Sequence, residues 1–119
     1  MKRYGNTLTC AGSDWGEKMT DALRYYVVSY DLRQPYTRED YIKIAMMLRT
    51  APDFCRALWS FWIVGTPLRP SEIIDEFVNA GFIGPADRIV VLEMTGRGDF
   101  FGAQPVEIEE WLRTKIVVS

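Results

Sequence analysis

Histidine is absent from this 119-residue chain, and that absence excludes whole classes of chemistry. No serine–histidine or cysteine–histidine pair can activate a nucleophile, and no imidazole can hold a metal. Any reaction here falls to carboxylates, tyrosine, lysine or a bound ion. Cysteine is nearly as scarce: Cys10 and Cys55 fit a reducing, cytoplasmic setting better than a disulfide framework. They would pair only if the N-terminal segment lay beside residue 55. No apolar run approaches the ~20 residues that cross a bilayer, so no membrane partner is expected. The opening "MKRYGNTLTCAGSDWGEK" lacks the apolar centre of a signal peptide. A basic surplus is missing too. Fourteen Lys and Arg stand against sixteen Asp and Glu, for a net charge of -2, which argues against a strong non-specific grip on nucleic acid. Ten of the fourteen basic residues are nevertheless arginines, which suit bidentate contacts to phosphate or carboxylate.

What is present describes one domain. With 48% apolar residues, the chain can bury a real core. Residues 1–20 read as a polar, flexible arm, residues 21–102 as the folded domain, and residues 103–119 as an extension. "RYYVVSYD" is β-branched and aromatic with apolar residues on both alternating faces, the mark of a strand inside a covered sheet. In "TREDYIKIAMMLRTAPD", Thr37 is an N-cap with Asp40 three residues on, and Tyr41, Ile44, Ala45 and Leu48 form one helical stripe that Pro52 ends. "FCRALWSFWIVGT" holds two short strands joined tightly near Trp59–Ser60. In "PLRPSEIIDEFVNAGF", Pro70 suits a first helical turn and Gly81 the C-terminal stop, with Phe82 as its apolar contact and Ile73, Phe77 and Ala80 facing inward. "DRIVVLEMT" is another strand and "GRGDFFGAQP" a loop. The tail gives a helix from Pro105 and a last strand over residues 115–118.

The order strand, helix, strand, strand, helix, strand predicts an α+β fold, the ferredoxin-like βαββαβ sandwich with a C-terminal extension. Both helices would share one face of the sheet, leaving the other apolar face for a second copy in a homodimer.

Three stretches, "YVVSYDL", "LWSFWIVGT" and "IVVLEMTGRGDFFG", resemble in order and spacing the SinR-like proteins, relatives of the CRISPR-associated Cas-two family. The resemblance spans residues 25–102. It implies a ferredoxin-like homodimer associated with nucleic acid, RNA or DNA, and in some members a divalent-metal-dependent endonuclease. The position matching the family's metal-binding aspartate is Asp31, which would hold Mg2+ or Mn2+ with its counterpart across the dimer axis. Ser60, before Phe61 and Trp62, matches a serine near that site. In "FCR", Arg56 stands where SinR-like members often carry a histidine. A metal on Asp31 would supply the water nucleophile that a chain without histidine lacks, with Glu93 or Asp99 as further acids. Arg33, Arg38 and Arg56 are the phosphate-binding candidates. Each has a plainer reading: Asp31 as a turn cap, Ser60 as a hairpin residue, the arginines as solvated ion pairs, and Trp59, Phe61 and Trp62 as core or interface rather than base-stacking surfaces. A non-catalytic scaffold, or a toxin–antitoxin or defence module binding nucleic acid or a protein, is the alternative function.

Overall fold

Tyr26, Val28 and Tyr30 alternate with Tyr25 and Val27 along the strand "RYYVVSYD", and in the computed structural model this segment lies inside a five-stranded antiparallel sheet. The structure describes residues 10–12, 22–102 and 104–117. In chain order the elements are β1 (Cys10–Gly12), β2 (Arg24–Asp31), α1 (Arg38–Leu48), β3 (Asp53–Leu58), β4 (Phe61–Thr66), α2 (Pro70–Asn79), β5 (Arg88–Glu93) and α3 (Val106–Lys115). The sheet runs β1-β3-β4-β2-β5. The chain is thus a small α+β protein, and among the described residues no helix is long and apolar enough to cross a membrane.

Local chemistry sets the ends of α1 and α2. The Thr37 hydroxyl accepts from the Asp40 amide at 3.3 Å, and the Asp40 carboxylate accepts from the Thr37 amide at 2.8 Å. This reciprocal cap satisfies two amides that a helix start leaves without partners. Pro70 opens α2, where its missing N–H costs nothing. The far end closes with Gly81 at φ +78° and with two backbone bonds, Phe82 N–H to Phe77 C=O and Gly81 N–H to Val78 C=O. Only glycine adopts that conformation without strain. Ile73 and Phe77 are buried as the stripe predicts, but Ala80 is exposed, because it caps the helix rather than continuing its inner face.

Two cores lie on opposite faces of the sheet. Under α1 and α2, Tyr26, Val28, Tyr30, Trp62 and Val64 pack against Ile44, Leu48, Ile73 and Phe77. On the other face, Cys55 and Ile63 pack against Ile108, Trp111 and Leu112 of α3, with Tyr25, Val27 and Phe61 around them. This second core corrects the expectation of a bare face left for a partner. Ile108, Trp111 and Leu112 stand at i, i+3 and i+4, so one side of α3 is apolar and covers the sheet within the chain. What stays open on that side is β5, where Val90 and Leu92 are 52% and 60% exposed.

A buried polar cluster ties α3 down. Asp53, at the start of β3 and 4% exposed, accepts from Trp111 Nε1 at 3.0 Å and from Tyr25 Oη at 2.6 Å, and it pairs with Lys115 Nζ at 3.0 Å. Lys115 also donates to Tyr25 Oη at 3.1 Å. Gly65 lies between Asp53 and Tyr25 in register. A Cβ there would sit 2.6 Å from the Tyr25 ring, so glycine lets the phenol reach across β4.

The same cluster predicts an alkaline limit to stability. Burial, then the hydrogen bond to Asp53, raises the pKa of Tyr25, and burial also raises that of Tyr30, outside the cluster in the core on the other face. Burial alone would lower Lys115, but its bonds to Tyr25 and Asp53 outweigh that and leave it raised. All three groups hold their protons more tightly folded than unfolded. The stability they contribute is therefore intact below about pH 10 and is lost as pH climbs through the folded values. Melting followed by circular dichroism should give a Tm that falls beyond about pH 10; a Tm rising there would contradict the cluster.

Two further differences from the sequence reading concern the chain's ends. Cys10–Gly12 is not part of a structureless arm: it pairs with the free edge of β3, with Cys10 opposite Cys55. The two cysteines are joined as a disulfide, which corrects the expectation of separate thiols, because register places them side by side. The rest of the arm lies outside the described residues. The tail forms α3 as expected, but in place of a last strand Val117 makes a single parallel bridge to Arg97. Residues 118 and 119 lie outside the described part.

Candidate functional site

The end of β2, the start of α1 and the turn between β3 and β4 meet at one end of the sheet, which carries Asp31, Ser60, Arg33, Arg38 and Arg56 but not Glu93 or Asp99. Antiparallel register sets Ser29 against Phe61, and the Tyr30 amide donates to the Ser60 carbonyl at 3.3 Å. Ser60 occupies the tight turn after Leu58, as its hairpin reading expects.

Asp31 ends β2 directly opposite Arg88. Its Oδ2 lies 3.1 Å from Arg88 Nη2, with the two side chains 67% and 81% exposed. Such a pair contributes little to stability. Among the described residues no three of His, Cys, Asp and Glu gather as a metal-holding group. One carboxylate already facing a guanidinium does not fit a divalent ion within a single protomer, so a metal would need a second copy's acid. Glu93 lies at the far end of β5, opposite Tyr26, and does not join Asp31. Asp99 sits in the loop after β5, where its carboxylate accepts from the Phe100 amide.

The arginines divide. The Arg33 backbone donates to the Asp87 carboxylate at 2.7 Å, and the Gly84 amide donates to the same group at 2.8 Å. These two backbone bonds hold the Asp87 pKa below its usual range and pin the loop after β2 to the loop before β5. Arg38 and Arg56 instead line a cleft of about 190 Å³ between α1 and the β3–β4 hairpin, together with Tyr41, Arg49 and Trp59. A register shift between Arg56 and Leu58 bulges β3, a device that re-aims side chains beside sites. Arg56 donates from Nε to the Trp59 carbonyl at 2.8 Å. Its guanidinium lies 4.2 Å from the Trp59 ring centre and 5.1 Å from that of Trp62. Arg49 rests 6.0 Å from the Trp62 ring centre, and its Nε is buried with no hydrogen-bond partner among the described residues.

Among the described residues no acid answers these charges. The ion pairs among the described residues are Arg88–Asp31, Arg113–Glu109 and Lys115–Asp53, so Arg38, Arg49 and Arg56 converge without a carboxylate. Burial lowers the Arg56 pKa and the neighbouring Arg49 charge adds to it, with Tyr30 acting the other way. A guanidinium so placed stays charged and is short of a counter-anion. Tyr36, Tyr41 and Trp59 form an aromatic row beside the arginines, with ring centres 5.2 and 6.2 Å apart in sequence. Trp59 itself is 63% exposed, neither core nor covered. The sequence reading missed Arg49. The signal for it was present, since Arg38, Tyr41, Ala45 and Arg49 stand three and four apart and so share one stripe of α1.

No family model, curated protein or solved structure matches the chain.

Proposed function

We propose that this chain is a ferredoxin-like, Cas-two-like protein that binds single-stranded nucleic acid through the Arg38–Arg49–Arg56 cleft and the open ring of Trp59. The observation that carries this reading is the cluster of three guanidiniums, unpaired with any acid among the described residues, beside an exposed indole. Phosphate oxygens meet the first need and a base face the second. The order β2–α1–β3–β4–α2–β5 and the adjacency β5-β2-β4-β3 support the ferredoxin-like assignment. The net charge of -2 is compatible with binding confined to this patch. Fluorescence anisotropy with short RNA and DNA strands tests the reading. Affinity should fall with salt, with a log–log slope of about -2 for three phosphate contacts. Trp59→Ala should weaken binding by about 1–3 kcal/mol, roughly tenfold or more, while leaving the melting temperature unchanged. Salt-independent binding, or a variant that binds as well as the parent, would reject this interface.

A second reading rests on the exposed carboxylate of Asp31 beside the Ser60 turn. In a homodimer, two copies of Asp31 would be available to Mg2+ or Mn2+ in a phosphodiester-cleaving nuclease. Val90 and Leu92, open on the edge strand β5, favour contact with a second copy. Cleavage of RNA or DNA that needs metal, stops with chelator and disappears in Asp31→Asn is the expected result of this reading. Equal cleavage by both proteins indicates a contaminant, and a monomer in sedimentation removes the shared site.

A further inference from the structure

Charge and size in the arginine cleft narrow what it holds. Building on the nucleic-acid reading above, we infer that the cleft is an end-binding pocket for a terminal phosphate monoester, with the first base of the strand stacked on Trp59. An internal phosphodiester carries one negative charge. A phosphate monoester carries about -1.5 to -2 at neutral pH and presents three strong acceptor oxygens. Three guanidiniums with no carboxylate paired to them among the described residues match the monoester better. The volume points the same way. About 190 Å³ falls short of the roughly 300–1,000 Å³ of sites that enclose a small organic molecule, so the cleft accommodates a phosphate group and leaves the nucleoside outside it.

The donors are arranged for that division. Arg56 donates from Nε to the Trp59 carbonyl and is also bonded toward the Tyr30 hydroxyl, which fixes the guanidinium and leaves the rest of its terminal N–H groups to address an anion. Arg49 lines the same cleft; its Nε is shut off from solvent with no acceptor among the described residues, so its terminal nitrogens are the atoms that would address an anion. Arg38, in the first turn of α1, contributes a third, more exposed guanidinium. Arg56 covers one face of the Trp59 ring. Trp59 is 63% exposed, and on its open surface a base attached to the bound phosphate would stack, with the Arg56 cation on the ring reinforcing it.

The experiment compares one short strand in three forms, with a 5′-phosphate, with a 3′-phosphate and with hydroxyl ends, against the full chain, alongside adenosine monophosphate and inorganic phosphate as competitors. A phosphorylated end should bind about tenfold or more tightly than the hydroxyl strand, and that gain should vanish in Arg49→Gln. Because Arg49 also rests on Trp62, Arg38→Gln on the exposed helix start serves as the second variant and should reduce the same gain. Hydroxyl and phosphorylated strands bound alike would overturn the end-binding pocket and leave the nucleic-acid reading standing. Free phosphate or the mononucleotide bound with no gain for a strand would overturn both, making the cleft a small-anion site. No binding of any probe would also overturn both.

Discussion

Asp53→Ala is expected to lower the unfolding free energy by about 3–5 kcal/mol, the cost of removing one partner from a buried ion pair. Asp53 answers three donors at once, Trp111 Nε1, Tyr25 Oη and Lys115 Nζ, and alanine leaves the indole and the phenol without that acceptor, while Lys115 keeps only its bond to Tyr25 Oη. Lys115 retains a quarter of its side-chain exposure and can turn toward water. The indole N–H cannot, because Trp111 lies in the second core. A domain of this size has about 5–15 kcal/mol in total, so the variant should be marginal at room temperature. Lys115→Met provides the control. It removes the cation while Tyr25 and Trp111 still donate to the carboxylate, so it should cost less. Urea denaturation of both proteins at neutral pH measures the difference. A loss of under about 1 kcal/mol for Asp53→Ala would mean that the cluster is an ornament of the surface rather than a fastening for α3.

Trp62→Ala should cost at least as much, about 3–5 kcal/mol from lost burial and the cavity left behind. Trp62 is fully buried, packs on Phe54 at 6.0 Å between ring centres, and donates from Nε1 to Tyr30 Oη at 3.0 Å. Its removal also strips the surface on which the Arg49 and Arg56 guanidiniums lie. Binding at the cleft should therefore weaken with stability, in contrast to Trp59→Ala, which separates the two. Trp62→Phe refines the test. It keeps much of the volume and removes the indole donor, so the buried Tyr30 hydroxyl loses that hydrogen bond, at about 1–3 kcal/mol. If alanine and phenylalanine cost the same in urea titrations, the hydrogen bond and not the packing is what matters at this position.

Elements whose stabilising contacts are local were legible in the amino-acid order. The Thr37–Asp40 cap, the Pro70 start, the Gly81 stop and the turn at Trp59–Ser60 each depend on residues within a few positions of one another. Asp53 was not legible. An acid just after a proline reads as a turn residue, and its partners Tyr25 and Trp111 lie 28 and 58 positions away. Nor was β1, since three residues in a polar segment carry no periodicity and gain order only from the edge of β3. The apolar stripe of α3 could be read as a helix, but its place over the sheet depends on Asp53 and Lys115 meeting. At the candidate site, Arg38 and Arg56 were singled out as phosphate ligands and fall in one cleft. Arg33 was grouped with them yet is held apart by its backbone bond to Asp87. Asp31 drew attention for its place at a strand end, and that place also sets it opposite Arg88.

The covering role of α3 bears on how the protein is made. Every strand leaves the ribosome before α3 does, so Tyr25, Val27 and Ile63 wait in the open while synthesis continues. A chain broken off before α3 would lack the cover of Ile108, Trp111 and Leu112 and present that apolar side to chaperones and proteases.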